Sequence, residues 1–224
     1  MEGLMRLKAM AKINLGLDVL GKREDGYHEV RMIMQTIRMY DILDIRKTRR
    51  PGIVLTTNLP FIPTDQRNLV YKAAQMLMEE FDVEEGLSIK LRKFIPVAAG
   101  MAGGSSDAAA AFVGVNRMFH LGLTEEQLME RAVKVGADVP YCIMRGTALA
   151  EGIGEKLTRL PEVPKCYVLI GKPGINVSTK TAYENLNLEG IGKHPDIDGL
   201  IGAIRNNDLY ALSLIHISEP TRPY

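Results

Sequence analysis

The chain has 224 residues, room for one or two domains with a sizeable core, and its 46% hydrophobic and 25% charged residues are those of an ordinary globular protein. A net charge of +1 gives no nucleic-acid or charged-membrane surface. No apolar run approaches the ~18 residues of a membrane span, and Lys8 and Lys12 break any export-signal core. Cys142 and Cys166 have no metal-ligand spacing and read as two buried thiols of a reduced, cytoplasmic protein.

Residues 5–20 alternate imperfectly and predict one or two strands. Gly21 and Gly26 flank a charged turn. Met32 to Ile37 and Ile42 to Arg46 predict two more strands, interrupted at Tyr40-Asp41, and Ile53 to Thr57 another. The basic run Arg46-Lys47-Thr48-Arg49-Arg50 reads as a solvated loop rather than a binding patch. Leu69, Val70, Ala73, Ala74 and Leu77 have the spacing of an amphipathic helix over 68–81. Gly86 to Leu91 reads as a strand, and Ala108 to Met118 as an alanine-rich helix. Thr124-Glu125-Glu126-Gln127 is a capping box opening a helix that ends near Gly136. Val139 to Met144, Thr147 to Ala150 and Lys165 to Gly171 read as strands, and Ser178 to Leu186 as a short helix. Elements in this order lack the regular alternation of a doubly wound sheet, so the expected class is α+β.

Between strand and alanine-rich helix runs Pro96-Val97-Ala98-Ala99-Gly100-Met101-Ala102-Gly103-Gly104-Ser105-Ser106-Asp107. Glycines let backbone approach a ligand closely. Ser105, Ser106 and Asp107 are good N-cap types, and a helix start presents free N–H groups and partial positive charge, which suits a phosphate. The run is neither a Walker A loop nor a Gly-x-Gly-x-x-Gly fingerprint, and no protein-kinase motif accompanies it.

This run resembles the ATP-phosphate loop of the GHMP kinases. Ala11-Lys12-Ile13-Asn14-Leu15, Asp25-Gly26-Tyr27-His28-Glu29 and Gly136-Ala137-Asp138-Val139-Pro140 are similar, in the same order, to further motifs of one branch of that family. The resemblance covers residues 9 to about 186. It implies a two-domain α+β fold with the active site in the cleft between domains. It also implies an ATP- and Mg²⁺-dependent kinase acting on a small molecule. In that branch the 2-hydroxyl of a CDP-linked methylerythritol is phosphorylated on the non-mevalonate route to isoprenoids.

The resemblance places catalytic roles on Lys12 and Asp138. A lysine beside the reacting groups could neutralise charge on the transferring phosphoryl group, and Asp138 could take the hydroxyl proton. Residues 96–106 would hold the triphosphate, with Lys93 and Asn68 near the adenine. Asn14 shares a strand face with Lys12 and would hydrogen-bond the acceptor. His28 would read the cytosine edge, with Tyr27 and Tyr183 stacking on the ring. No residue pattern fixes a Mg²⁺ ligand. Kinases of homoserine or mevalonate type remain open, although such substrates carry no base to stack. An inactive nucleotide-binding fragment also remains open.

Composition shifts near residues 151–164, where Glu, Gly and Pro interrupt the pattern. The expected division is an N-terminal kinase domain over 1–155 and the start of a C-terminal domain over 156–212. Residues 213–224 are expected to be a non-native tail, because Ser-Leu-Ile-His-Ile-Ser-Glu-Pro-Thr-Arg resembles a translated sequencing adapter. The resemblance expects more of the second domain, including a Gly-Ser-rich motif, after this point.

Overall fold

The computed structural model describes residues 3–172, 185–190, 192 and 194–214. Two long strands come first, β1 (Met5–Lys22) and β2 (His28–Thr48), then β3 (Ile53–Thr57), α1 (Leu69–Glu80), β4 (Gly86–Arg92) and α2 (Gly103–Met118). They are followed by α3 (Glu125–Ala132), α4 (Val139–Met144), β5 (Thr147–Gly152), β6 (Lys156–Leu160), α5 (Ile197–Arg205) and α6 (Leu209–Leu214). The fold is α+β. The chain divides into two compact units, one of residues 1–12, 37–97 and 101–144, the other of 13–36, 98–100 and 145–224.

In the first unit β4 lies between two neighbours. It pairs antiparallel with the later half of β2, from Ile42 opposite Arg92 to Thr48 opposite Gly86. It pairs parallel with β3, from Ile53 opposite Leu87 to Thr57 opposite Leu91. Leu43, Ile45, Leu87, Ile89 and Leu91 are buried on these strands. Helix α2 packs against α1 and α4. Its buried face is Ala108 to Ala111, Phe112, Val115 and Met118. So many small side chains allow close approach, and Gly114 is the tightest point: a Cβ there would lie 2.4 Å from Ile45 Cδ1 and 2.7 Å from Leu7 Cδ1.

In the second unit the first half of β2 pairs antiparallel with β5, from Val30 opposite Gly152 to Gln35 opposite Thr147. A turn through Gly152 and Gly154, both at positive φ, leads into β6, which pairs back onto β5. Helix α5 carries Ile197, Leu200, Ile201 and Ile204 into a core with Leu15 and Ile33. Arg31 on β2 places its fork on both carboxylate oxygens of Asp198, at 2.8 and 2.6 Å.

Several elements differ from the sequence reading. β2 does not break at Tyr40-Asp41 but continues through it. Asp41 is tolerated inside a strand, fully buried, because its carboxylate is satisfied by Lys93 and by the backbone N–H groups of Phe94 and Ile95. Residues 139–144 are the helix α4 rather than a strand. Pro140 fits a first helical turn, where no backbone donor is required of it. β6 occupies part of the stretch read as a domain boundary. Residues 165–171 take neither strand nor helix; Tyr167 and Leu169 are fully exposed, and Cys166, expected to be buried like Cys142, is exposed with them. β-propensity needs a neighbouring strand and a covered face, and the described residues give that segment neither. The helix expected over 178–186 lies mostly outside the described residues, as does the tail beyond Leu214.

Gly86 opens β4 where a Cβ would come within 1.7 Å of the Arg50 carbonyl oxygen. That obstacle is backbone and cannot rotate away. Gly86→Ala should therefore destabilise the protein by about 1–3 kcal/mol, read as a lowered urea midpoint at unchanged m-value.

Candidate active site

The glycine run joins β4 to α2 within one turn of each. Pro96, Val97, Ala98 and Gly100 are exposed, and Met101 is buried and anchors the run. Ala98, Gly100 and Ala102 all have positive φ, at 54°, 70° and 52°. Glycine adopts this conformation freely, whereas each alanine carries a cost of about 1–2 kcal/mol. Strain of this kind persists only where the surroundings hold it in place.

Helix α2 starts at Gly103, five residues before the start read from sequence. Its N-cap is Ala102, which has no side chain to cap with. Ser105, Ser106 and Asp107 are therefore not caps: they lie inside the first two turns, and tertiary partners engage the latter two. Ser106 Oγ donates to the Met10 carbonyl oxygen at 2.6 Å, and Asp107 accepts from Lys93. The first intrahelical bond runs from Ser106 N to Ala102 O, at 2.8 Å. The N–H groups of Gly103, Gly104 and Ser105 consequently have no partner within the helix. Three convergent donors and the positive end of the helix dipole can hold an anion.

β1 is tied to this helix start at two points, through Met10 O and through Lys12 N, which donates to Met101 O at 3.2 Å. Those bonds fix the strand position from which the Lys12 side chain, 7% exposed, comes within 3.9 Å of Asp138 Oδ2. Asp138 stands immediately before α4, and its carbonyl oxygen accepts from Cys142 N at 3.1 Å. Its side chain is 34% exposed, open enough to meet a ligand. Thus two residues 126 positions apart in sequence, one from a strand and one from a helix start, form a cation–carboxylate pair in the first unit.

Lys93 follows β4 and is buried between two carboxylates. Its Nζ donates to Asp41 Oδ2 and, at 2.6 Å, to Asp107 Oδ2. Sequence reasoning singled out neither Asp41 nor the pairing of Asp107. A charged residue in an apolar strand was the available signal for Asp41. Burial pushes the Asp107 carboxyl well above the usual carboxylate range; Lys93 pulls it back and Asp41 pushes it further up. Asn68 is the N-cap of α1, its Oδ1 accepting from Val70 N at 2.9 Å and its Nδ2 donating to Pro63 O at 2.8 Å. Nearby, an open depression of about 470 Å³ is lined by Thr57, Pro60, Ile62, Pro63, Asp65 and Arg67. The loop forming it is fastened to Lys93 by two Asn58 bonds, Nδ2 to Lys93 O and Oδ1 from Lys93 N, at 3.1 and 2.8 Å.

The remaining sequence candidates belong to the second unit. Asn14 is half-buried on β1. Tyr27 is 60% exposed in the turn between β1 and β2, with its backbone N donating to Asp25 Oδ1 at 3.1 Å. His28 is the first residue of β2 and half-buried. Tyr183 lies outside the described residues. Among the described residues, no group of three or more His, Cys, Asp or Glu side chains is placed to hold a metal ion.

Known proteins resemble this chain in both sequence and fold. Residues 68–146, which contain the run, α2 and Asp138, match the family model described as GHMP kinases N terminal domain. Over 205 residues the chain is 56% identical to the 4-diphosphocytidyl-2-C-methyl-D-erythritol kinase of Lachnospira eligens, covering 92% of this chain and 71% of that protein. The enzyme of the same name from Caldicellulosiruptor bescii is 53% identical, with 92% and 72% covered. A crystal structure of 4-(cytidine 5'-diphospho)-2C-methyl-D-erythritol kinase superposes with a TM-score of 0.75 at 30% identity, covering 91% of this chain and 72% of that one. Homoserine kinase from Cytophaga hutchinsonii has a TM-score of 0.73 at 20% identity, covering 99% and 75%, a likeness of fold. The chain belongs to the GHMP kinases and, within them, to the family of 4-diphosphocytidyl-2-C-methyl-D-erythritol kinases.

The raised Asp107 carboxyl fixes the sign of one pH effect. A carboxyl that binds its proton more tightly folded than unfolded contributes stability below its unfolded value, and that contribution is lost as pH rises through the folded value. Asp107→Asn removes the loss. The stability difference, variant minus parent, should grow as pH rises from about 4 and then level off, as measured by urea denaturation across a pH series. A difference that shrinks with pH would refute this.

Proposed function

We propose that the protein transfers the γ-phosphoryl group of ATP to the 2-hydroxyl of 4-diphosphocytidyl-2-C-methyl-D-erythritol, in the cytoplasm, on the non-mevalonate route to isoprenoids. The observation that carries this reading is the 3.9 Å pairing of Lys12 with Asp138, found in a chain 56% identical to a kinase of that substrate.

The N–H groups of Gly103, Gly104 and Ser105, with the loop from Pro96 to Ala102, receive the triphosphate. The adenine is assigned to the neighbourhood of Asn68 and Lys93, beside the loop that Asn58 fastens to the Lys93 backbone. This donor set is of N–H groups and an ammonium, suited to an anion and not to a bare cation. Mg²⁺ would therefore arrive on the phosphate oxygens, where it shields their charge. The acceptor oxygen bonds to the γ-phosphorus as the bond to the bridging oxygen of ADP breaks, and the hydroxyl proton passes to the Asp138 carboxylate. Lys12 stabilises the negative charge on the transferring group. Tyr27 stacks on the cytosine, His28 hydrogen-bonds its edge, and Asn14 bonds the polyol. Binding energy from the nucleotide end holds the reacting hydroxyl in line.

With purified protein, ADP release should require the cytidine-linked polyol and should not occur with homoserine or mevalonate. Equal turnover of all three would refute the assignment. Asp138→Asn should lower kcat by about 100-fold or more while leaving ATP affinity near its original value. His28→Ala should raise KM for the cytidine substrate by about tenfold and leave KM for ATP nearly unchanged; equal losses on both would make His28 a structural residue.

A further inference from the structure

The mechanism leaves one buried ionic cluster unused. Lys93 Nζ bonds Asp41 Oδ2 and Asp107 Oδ2, and the side chains are 5%, 0% and 3% exposed. Two carboxylates thus share one ammonium in a site closed to water. Asp107 Oδ1 is buried without a hydrogen-bond partner. Such a cluster is a poor way to gain stability. Well-packed apolar residues of similar volume are often as stable or more so.

Its position suggests a different use. Asp41 Oδ1 accepts the backbone N–H groups of Phe94 and Ile95, the last residues before the glycine run. Asp107 is the last residue of the run and sits in the second turn of α2. Lys93 Nζ also lies against the first residue of that helix: a Cβ on Gly103 would be 3.1 Å from it. The three side chains therefore connect the segment where the run begins to the helix where it ends. Both ends of a strained backbone are held by one set of charge-assisted bonds, which are the stronger kind.

We propose that Asp41, Lys93 and Asp107 form a buried clamp that fixes the two ends of the glycine run, and that the Lys93 side chain shapes nucleotide binding by this positioning and not by touching the nucleotide. The inference rests on the reading of the run as a nucleotide loop. Holding the ends sets where the Gly103, Gly104 and Ser105 donors stand relative to one another. It also lets the alanines at 98 and 102 keep their left-handed conformation. Two of the three ammonium N–H groups go to carboxylates and the side chain is 5% exposed, so its Nζ is closed off from a base or phosphate. With Asp107 and Asp41 facing each other across the lysine, an amide at 107 could donate to Asp41 and rejoin the ends without any charge at 93.

The test is binding of the non-hydrolysable analogue AMP-PNP to the full chain, by calorimetry, with a melting temperature for each protein. Lys93→Met strands two carboxylates and should weaken binding by at least tenfold. Lys93→Met combined with Asp107→Asn should bring the dissociation constant back to within about threefold of the parent. A lysine that touched the nucleotide would leave the double variant as weak as the single one, and that result overturns the proposal. Unweakened binding by folded Lys93→Met, with only a lower melting temperature, also overturns it, since the cluster would then be structural alone. If Lys93→Met does not fold, the double variant decides: binding within threefold supports the clamp, and a loss beyond tenfold refutes it. A parent chain that fails to bind AMP-PNP overturns the nucleotide reading itself, an outcome distinct from any difference between variants.

Discussion

A buried ammonium has to be matched on every side, and in this chain that requirement joins three elements. Lys93 leaves the end of β4, Asp41 comes from β2 and Asp107 from α2. None of the three could be buried alone, since an unpaired interior charge costs several kcal/mol. Placing them together fixes β2 through Tyr40 as one strand, fixes the direction in which the chain leaves β4, and fixes where α2 begins. The glycine run is what remains between these fixed points, and its length and positive φ angles follow from having to join them.

The helix start that results is itself an unfinished structure. Its N-cap is an alanine, and the serines and the aspartate of cap type are inside the helix. The donors of the first turn are thus left for something outside the helix. Small residues contribute twice. Alanines and glycines along α2 allow it to approach Ile45 and Leu7 closely. The same residue types at the start leave backbone exposed to an anion. β1 then takes a bond from Ser106 and gives one to Met101, so the strand position of Lys12 is set by hydrogen bonds to that helix start. Asp138 is placed by α4, a short helix wholly buried against α2 and α3.

The second unit shows a plainer logic. An antiparallel set of strands buries Leu15 and Ile33 under α5, and the Arg31–Asp198 fork joins strand to helix at the surface. It also presents Tyr27, 60% exposed, on the turn before β2. An exposed aromatic is isolated and ordinary on most surfaces, but it has area to offer a flat base.

By itself the sequence determined the α+β class, the helix over 69–80, the capping box at Thr124 and the glycine run. Each depends on residues near one another along the chain: apolar spacing, turn chemistry and paired caps. Lys12 and Asp138 were singled out by the resemblance of their motifs to a family, and their 3.9 Å pairing belongs to the tertiary structure. What only the tertiary structure decided was everything that depends on long-range partners. Asp41 could stay in a strand because Lys93 reaches it from 52 residues away. Ser106 and Asp107 could give up capping because β1 and β4 supply their partners. Residues 139–144 are helical although their composition is β-prone, since burial against α2 and α3 outweighs a weak local preference. Residues 165–171 have that same preference, yet it produced no strand among the described residues, because no local pattern can supply a missing neighbour.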